Sequence, residues 1–186
     1  MNVEPVPPDL PLAVLDSSFL VPEWSRITLQ RIAAAPEPVY APAWSEWIIA
    51  ETWRILTQQW IGRHGRVALD GEHHLRTNAN EMLRHLLAVM RLYSLRGYSG
   101  PDPWPELTDV DDAPVWQTAV AAGAQYVVSN NTRHFPPLVS GRHVYRGVEY
   151  LTAIEFIEDV LAMDTEAAYE RSLPEGARLR SRRSRG

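Results

Sequence analysis

Short apolar runs of strand length alternate along this chain with longer segments of helical periodicity, and that alternation limits the possible folds more than any other feature. Leu12-Ala13-Val14-Leu15 reads as a buried strand ending at Asp16. Val39-Tyr40-Ala41 reads as a second, Gln125 to Ser129 as a third, and the stretch near His143–Arg146 as a last one. Between them fall helices. The first runs from Pro22 to about Ala35 and is stopped by Pro36-Glu37-Pro38, and the second runs from about Trp44 to Gly62. A long third helix, about Glu72 to Arg96, carries the stripe Leu75, Ala79, Met82, Leu83, Leu86, Met90 and Tyr93. Asp109-Val110-Asp111-Asp112 opens a fourth, with Val115, Trp116, Ala119 and Val120 as its apolar face and Gly123 as its end. Thr152-Ala153-Ile154-Glu155 has the form of a capping box and starts a last helix to about Met163. Strands joined through helices imply an α/β chain with a mostly parallel central sheet flanked by helices.

The 186 residues suit one domain. Residues 1–11 read as a Pro-rich leader (Pro5, Pro7, Pro8, Pro11), residues 12–163 as the domain with a helical insert at about 62–105, and residues 164–186 as a polar tail. The tail ends in Arg178, Arg180, Arg182, Arg183 and Arg185. No apolar run approaches the roughly 20 residues of a membrane span. The start lacks a signal-peptide pattern, and there is no cysteine for disulfides or zinc thiolates, so the expected compartment is the cytoplasm. All 18 basic residues are Arg, and the net charge of −5 argues against a broadly basic nucleic-acid surface. It leaves room for an acidic metal pocket with arginines at its rim.

Four polar signals stand out. Asp16 ends the first strand, where an open α/β sheet places its site; it could equally cap the following turn. Glu51 shares a helical face with Ile48 and Ile55, where an unpaired charge is costly, so it belongs either to a site or to an ion pair with Arg54. Asp109, Asp111 and Asp112 precede a helix; one could be its N-cap, but three exceed what capping needs. Asp112 is the one expected to face inward, with Asp109 as a helper. Ser129-Asn130-Asn131 follows a strand and could orient a water or phosphate, or form an ordinary turn. The segment Glu72-His73-His74 lacks zinc-ligand spacing.

Taken in order, these segments resemble the PIN domain, the ribonuclease fold of bacterial toxin–antitoxin toxins and RNA-processing nucleases. Val14 to Val21 resembles that family's opening strand. Ser45 to Leu56 (SEWIIAETWRIL) resembles the segment with its second acid, Glu51. Asp109 to Ala124 followed by Tyr126 to Phe135 resembles its third-acid helix and next strand. The likeness spans about residues 12–160, with two departures: Ser18 replaces the usual Asn, and Asn131 stands where many members have a fourth Asp.

The resemblance implies a PIN-like three-layer α/β/α fold and a metal-dependent endoribonuclease, the toxin of a toxin–antitoxin pair. Its catalytic residues would be Asp16, Glu51, Asp112 and Asn131. The metal ligands would be Asp16, Glu51, Asp112 and Asp109, and Ser17, Ser129 and Arg133 would meet substrate. Mg²⁺ is the implied cofactor, with Mn²⁺ able to substitute, because crowded carboxylates repel one another until a hard cation joins them. RNA is the implied substrate, and a cognate antitoxin and a second copy of the chain are the implied partners; no membrane is involved. The competing class is a catalytically degenerate PIN-like adaptor that binds RNA or protein.

Overall fold

A computed structural model describes residues 10–20, 23–64 and 69–172. Most of the expected leader and the Arg-rich end lie outside the described residues. Strand β1 (Leu12–Leu15) is wholly buried, and it sits between β2 (Ala41–Ser45) and β4 (Tyr126–Val128), parallel to both. Beyond β2 lies β3 (Arg91–Tyr93), also parallel. Beyond β4 lie β7 (Val148–Leu151), parallel, then β6 (Arg142–Tyr145) and β5 (Leu138–Val139), both antiparallel. The sheet order is β3-β2-β1-β4-β7-β6-β5. Helices complete a three-layer α/β/α architecture: α1 (Glu23–Ala33), α2 (Glu46–His64), α3 (Leu69–Leu87), α4 (Ala113–Ala122), the short α5 (Ala153–Glu155) and α6 (Thr165–Ser172). Helix α4 packs across β1, β2, β4 and β7, while α1 pairs with α6 and α2 with α3. None of the described helices is long and apolar enough to cross a membrane.

The core explains why the central strands read as continuous apolar runs. Ala13, Val14, Leu15, Val127 and Val128 are fully buried in one apolar cluster with Phe19, Trp44, Trp116 and Phe156. Two polar groups at this core are tied down by hydrogen bonds. Tyr40 donates its hydroxyl to the Leu29 carbonyl at 2.8 Å, and the start of β1 is closed by the Gln125 side chain, which accepts from the Leu12 N–H at 3.0 Å. Gly123 ends α4 at φ 66°, a left-handed position that glycine takes without penalty. The capping box at Thr152 forms as expected: its hydroxyl accepts from the Glu155 N–H, and Glu155 Oε2 accepts from the Thr152 N–H at 2.7 Å.

Four elements differ from the sequence expectation. The second strand is Ala41–Ser45, not Val39–Ala41, and runs through Pro42. Ala41 gives its N–H to the Pro11 carbonyl on the β1 side, so the alternation turns position 42 toward the other side. There β3 begins only opposite Ala43, and no hydrogen bond is lost at the proline. The long helix stops at Leu87. Arg91–Tyr93 leaves the helical path to pair with the open edge of β2, so the region 62–105 is not wholly helical. The single last strand is a three-stranded meander. Its hairpin turns, Ser140-Gly141 (φ 54° and 82°) and Arg146-Gly147 (φ 48° and 83°), have both central residues left-handed, the geometry that matches strand twist. Finally, the chain after 164 is not simply a polar tail. After a wide turn in which the Leu161 N–H reaches back five residues to the Phe156 carbonyl, α6 packs on α1 through fully buried Ala168, and Arg31 Nη1 donates to the Ser172 carbonyl.

Candidate functional site

The site lies where the sheet changes direction. From β1 the chain moves outward to β2 and β3, and the sheet continues on the opposite side with β4 and β7. The loops after β1 and β4 therefore diverge and leave a crevice at the strand ends. Leu15 and Val128 are register partners, so the residues that follow them, Asp16 and Ser129, flank this crevice. The ladder fixes both: the Asp16 N–H donates to the Val128 carbonyl at 2.9 Å, and the Ser129 N–H to the Leu151 carbonyl at 3.0 Å.

Asp16 is only 4% exposed, so its carboxylate needs donors. Three serine hydroxyls supply them. Ser18 Oγ and Ser129 Oγ donate to Oδ2 at 2.6 and 2.7 Å, and Ser17 Oγ to Oδ1 at a long 3.4 Å. Two of these hydroxyls accept in turn from the backbone after β4: Ser18 Oγ from the Asn130 N–H at 2.9 Å, and Ser129 Oγ from the Asn131 N–H at 3.1 Å. Two peptide dipoles are thus relayed to one carboxylate oxygen. The helix-capping explanation of Asp16 is not realised by its side chain; the Phe19 N–H is taken by the Asp16 main-chain carbonyl instead. Ser17 and Ser129, read from sequence as substrate contacts, are buried supports of this carboxylate.

Glu51 follows buried Ile48 on α2 and shows both of its possible roles. Arg54 Nη2 lies 3.5 Å from Oε1, and the carboxyl also feels Asp16 and Asp112. Burial is the main force raising its pKa. The Ser17 hydroxyl opposes that shift, the Asp16 charge adds to it, Arg54 opposes it and Asp112 adds again. Beside it opens a cleft of about 340 Å³ lined by Trp47, Ala50, Glu51, Arg54 and Asp111.

Asp112 immediately precedes α4 yet makes no side-chain cap, so its carboxylate is free for other work. Oδ2 contacts Nδ1 of His134, on the turn Thr132–His134 that follows β4. Burial pushes the Asp112 pKa up to about 6; His134 pulls it down, and the charges of Asp16 and Asp109 add to the rise. Asp109 does cap: Oδ1 accepts from the Asp111 N–H at 3.0 Å, while Oδ2 lies 3.7 Å from His134 Nδ1. Asp109, Asp112 and His134 each bring one ligand-type atom within 4.8 Å of the others. Asn131 Nδ2 is 3.0 Å from the same His134 nitrogen. Arg133 is exposed on the turn next to it.

Asp16, Asp112, Ser129, Asn131 and His134 line one small cavity together with Val115, Phe135 and Tyr150. Asp16, Glu51, Asp112 and Asn131, up to 115 residues apart in sequence (131 − 16), are therefore gathered at one crevice. His134 and Tyr150 were not among the expected residues. The signal for His134 is its place on the first turn after the third strand. Tyr150 had none, because its strand was not foreseen. Compared with known protein families and with curated protein sequences, the chain matches none.

Proposed function

We propose that this protein is a metal-dependent endoribonuclease of the PIN type, hydrolysing RNA phosphodiester bonds with water at the pocket of Asp16, Glu51, Asp112 and Asn131. The observation that carries this reading is electrostatic. Three carboxylates from separate elements sit at the switch point of the sheet, and Glu51 and Asp112 are both shifted upward in part by the other acids. A structure that merely needed caps or surface charge would gain nothing from that crowding; a cation site would.

The oxygen donors would suit Mg²⁺ or Mn²⁺, and among the described residues the acids and histidine whose ligand atoms lie within 4.8 Å of one another are Asp109, Asp112 and His134, without Asp16 or Glu51. Asp16 presents Oδ1, since Oδ2 is held by Ser18 and Ser129, and Glu51, Asp112 and the Asn131 amide add oxygens suited to hard cations. His134 offers a nitrogen beside Asp112, a donor that favours transition metals over Mg²⁺. A cation held by these residues would supply Lewis acidity toward a phosphate and its attacking water. The chain's own groups do the rest. The relay from Asn130 and Asn131 fixes the orientation of the Asp16 carboxylate. With its pKa pushed up to about 6 in the metal-free protein, Asp112 is largely ionised at neutral pH and ready to take a cation. Trp47 and Arg54 in the cleft beside Glu51 offer a stacking face and a guanidinium to single-stranded RNA, and Arg133 a second phosphate contact.

The decisive experiment is cleavage of a mixed single-stranded RNA with Mn²⁺, with EDTA and Asp16→Asn as controls. Cleavage that needs the metal and falls at least about 100-fold in the variant supports the reading. Equal activity of the two proteins refutes it. One observation favours a second reading, a PIN-like adaptor without activity: His134 engages Asp112 where a metal would bind, and Asn131 adds no charge. Absence of binding heat for both Mg²⁺ and Mn²⁺ would select the adaptor.

A further inference from the structure

Five buried side-chain polar atoms among the described residues have no hydrogen-bond partner: Thr28 Oγ1, Trp44 Nε1, Thr52 Oγ1, Trp116 Nε1 and the Tyr150 hydroxyl. Of these residues, Tyr150 alone lines the acidic cavity. It is 5% exposed, and its ring is clamped edge-on by Trp104 and Phe135, with centroids 5.5 and 5.4 Å away. It stands on β7, whose register with β4 sets Tyr150 beside Val127 and Leu151 beside Val128, one residue before Ser129. An O–H in that setting is costly unless something accepts from it. The charges that reach its phenol are those of Asp16 and Asp112, and burial with those two anions keeps it protonated and a donor.

The cavity it lines is about 10 Å³, close to the space one water occupies by the same measure. The remaining wall has five polar residues, Asp16, Asp112, Ser129, Asn131 and His134, from which the two to four partners a held water needs can come. We propose that Tyr150 donates its hydroxyl hydrogen bond to a single water held between Asp16 and Asp112. On the nuclease reading above, on which this further role rests, that water is the nucleophile. In the hydrolysis its oxygen bonds to phosphorus, the phosphorus–oxygen ester bond breaks, and the proton the water loses ends on the leaving oxygen. Tyr150 aims the water by fixing one of its lone pairs.

Tyr150→Phe tests this, because it deletes the hydroxyl and keeps the ring. A crystal structure of the wild type should show one ordered water about 2.7–3.0 Å from the Tyr150 oxygen, displaced or absent in the variant. With Mn²⁺ and RNA, kcat should fall about 10- to 100-fold while KM and the calorimetric Mn²⁺ affinity stay within about twofold. A dry tyrosine oxygen, together with a variant that melts higher and cleaves as fast as wild type, overturns the proposal and leaves the hydroxyl an orphan. The two readings fail separately. A wild type that holds the water but cleaves nothing overturns the nuclease reading and the nucleophile role, while the water site itself stands.

Discussion

Asp112 makes the metal-free stability of this protein depend on pH in a direction opposite to that of most carboxylates. Its pKa rises from 3.8 to about 6 on folding. The unfolded chain therefore releases this proton first, and between about pH 4 and pH 6 the folded form binds more protons than the unfolded one. Stability from this group is full below about pH 4 and is lost as pH rises through about 6. The displacement is worth at most ~3 kcal/mol. The side chain is 22% exposed, and solvent screening reduces the figure to about 1–2 kcal/mol. Urea melts in EDTA at pH 4, 5, 6 and 7, for wild type and Asp112→Asn, test the term, because titrating groups not coupled to Asp112 cancel in the difference, leaving Asp112 with its partners His134 and Glu51. The variant should gain about 1–2 kcal/mol relative to wild type between pH 4 and pH 7. The amide oxygen introduced by Asp112→Asn can still accept from His134, so lost packing does not mask the effect. Saturating Mn²⁺ at pH 7 should then reverse the order, stabilising wild type by roughly 2.7 kcal/mol at 100 times Kd and the variant by far less. A difference that stays flat with pH, or that favours Asp at pH 7 without metal, would refute both the burial of this charge and its crowding by Asp16 and Asp109.

Two further substitutions probe the scaffold beneath the site. Ser18→Ala removes a donor to Asp16 Oδ2 and the acceptor of the Asn130 N–H; it should cost about 2–3 kcal/mol in urea unfolding, and an unchanged midpoint would mean that the relay is not formed. Gly147→Ala sits at φ 83° with no atom within 4 Å of an added Cβ, so its loss of roughly 1 kcal/mol should be purely conformational. A stabilised variant would show that the turn before β7 is not left-handed.

The sequence exposed the parts of the fold that obey local rules and hid those settled by tertiary pairing. Leu12–Leu15 and Val127-Val128 are buried on both faces, so their runs are uninterrupted and easy to read. Thr152 and Glu155 satisfy each other across one helical turn, and nothing distant can disguise that. Met90 and Tyr93, by contrast, keep helical spacing with Leu86, and only the open edge of β2 decides that the backbone between them extends. Val148–Leu151 was invisible for a related reason. Its neighbours are a two-residue turn at Arg146-Gly147 and the capping box at Thr152, which leave only four residues to reveal a pattern, and the sequence alone predicts a last strand near His143–Arg146. That omission mattered for function, since β7 carries Tyr150 into the pocket.

The two positions where the chain departs from the pattern it resembles become consistent once the geometry is known. Ser18 takes over an orienting task at Asp16: its hydroxyl gives to Oδ2 while accepting from Asn130, so one short side chain bridges the loops after β1 and β4. Asn131 has an electrostatic consequence. A fourth carboxylate there would stand in the same cavity as Asp16 and Asp112, and its charge would push Asp112 above the value near 6 that it already holds. With Asn131 neutral and His134 pulling the other way, Asp112 stays ionisable near neutral pH. On the nuclease reading the chain thus trades one acidic ligand for a third acid that is ready to bind a cation at working pH, and the gain in Mn²⁺ affinity should be steepest between pH 5 and pH 7, where Asp112 loses its proton.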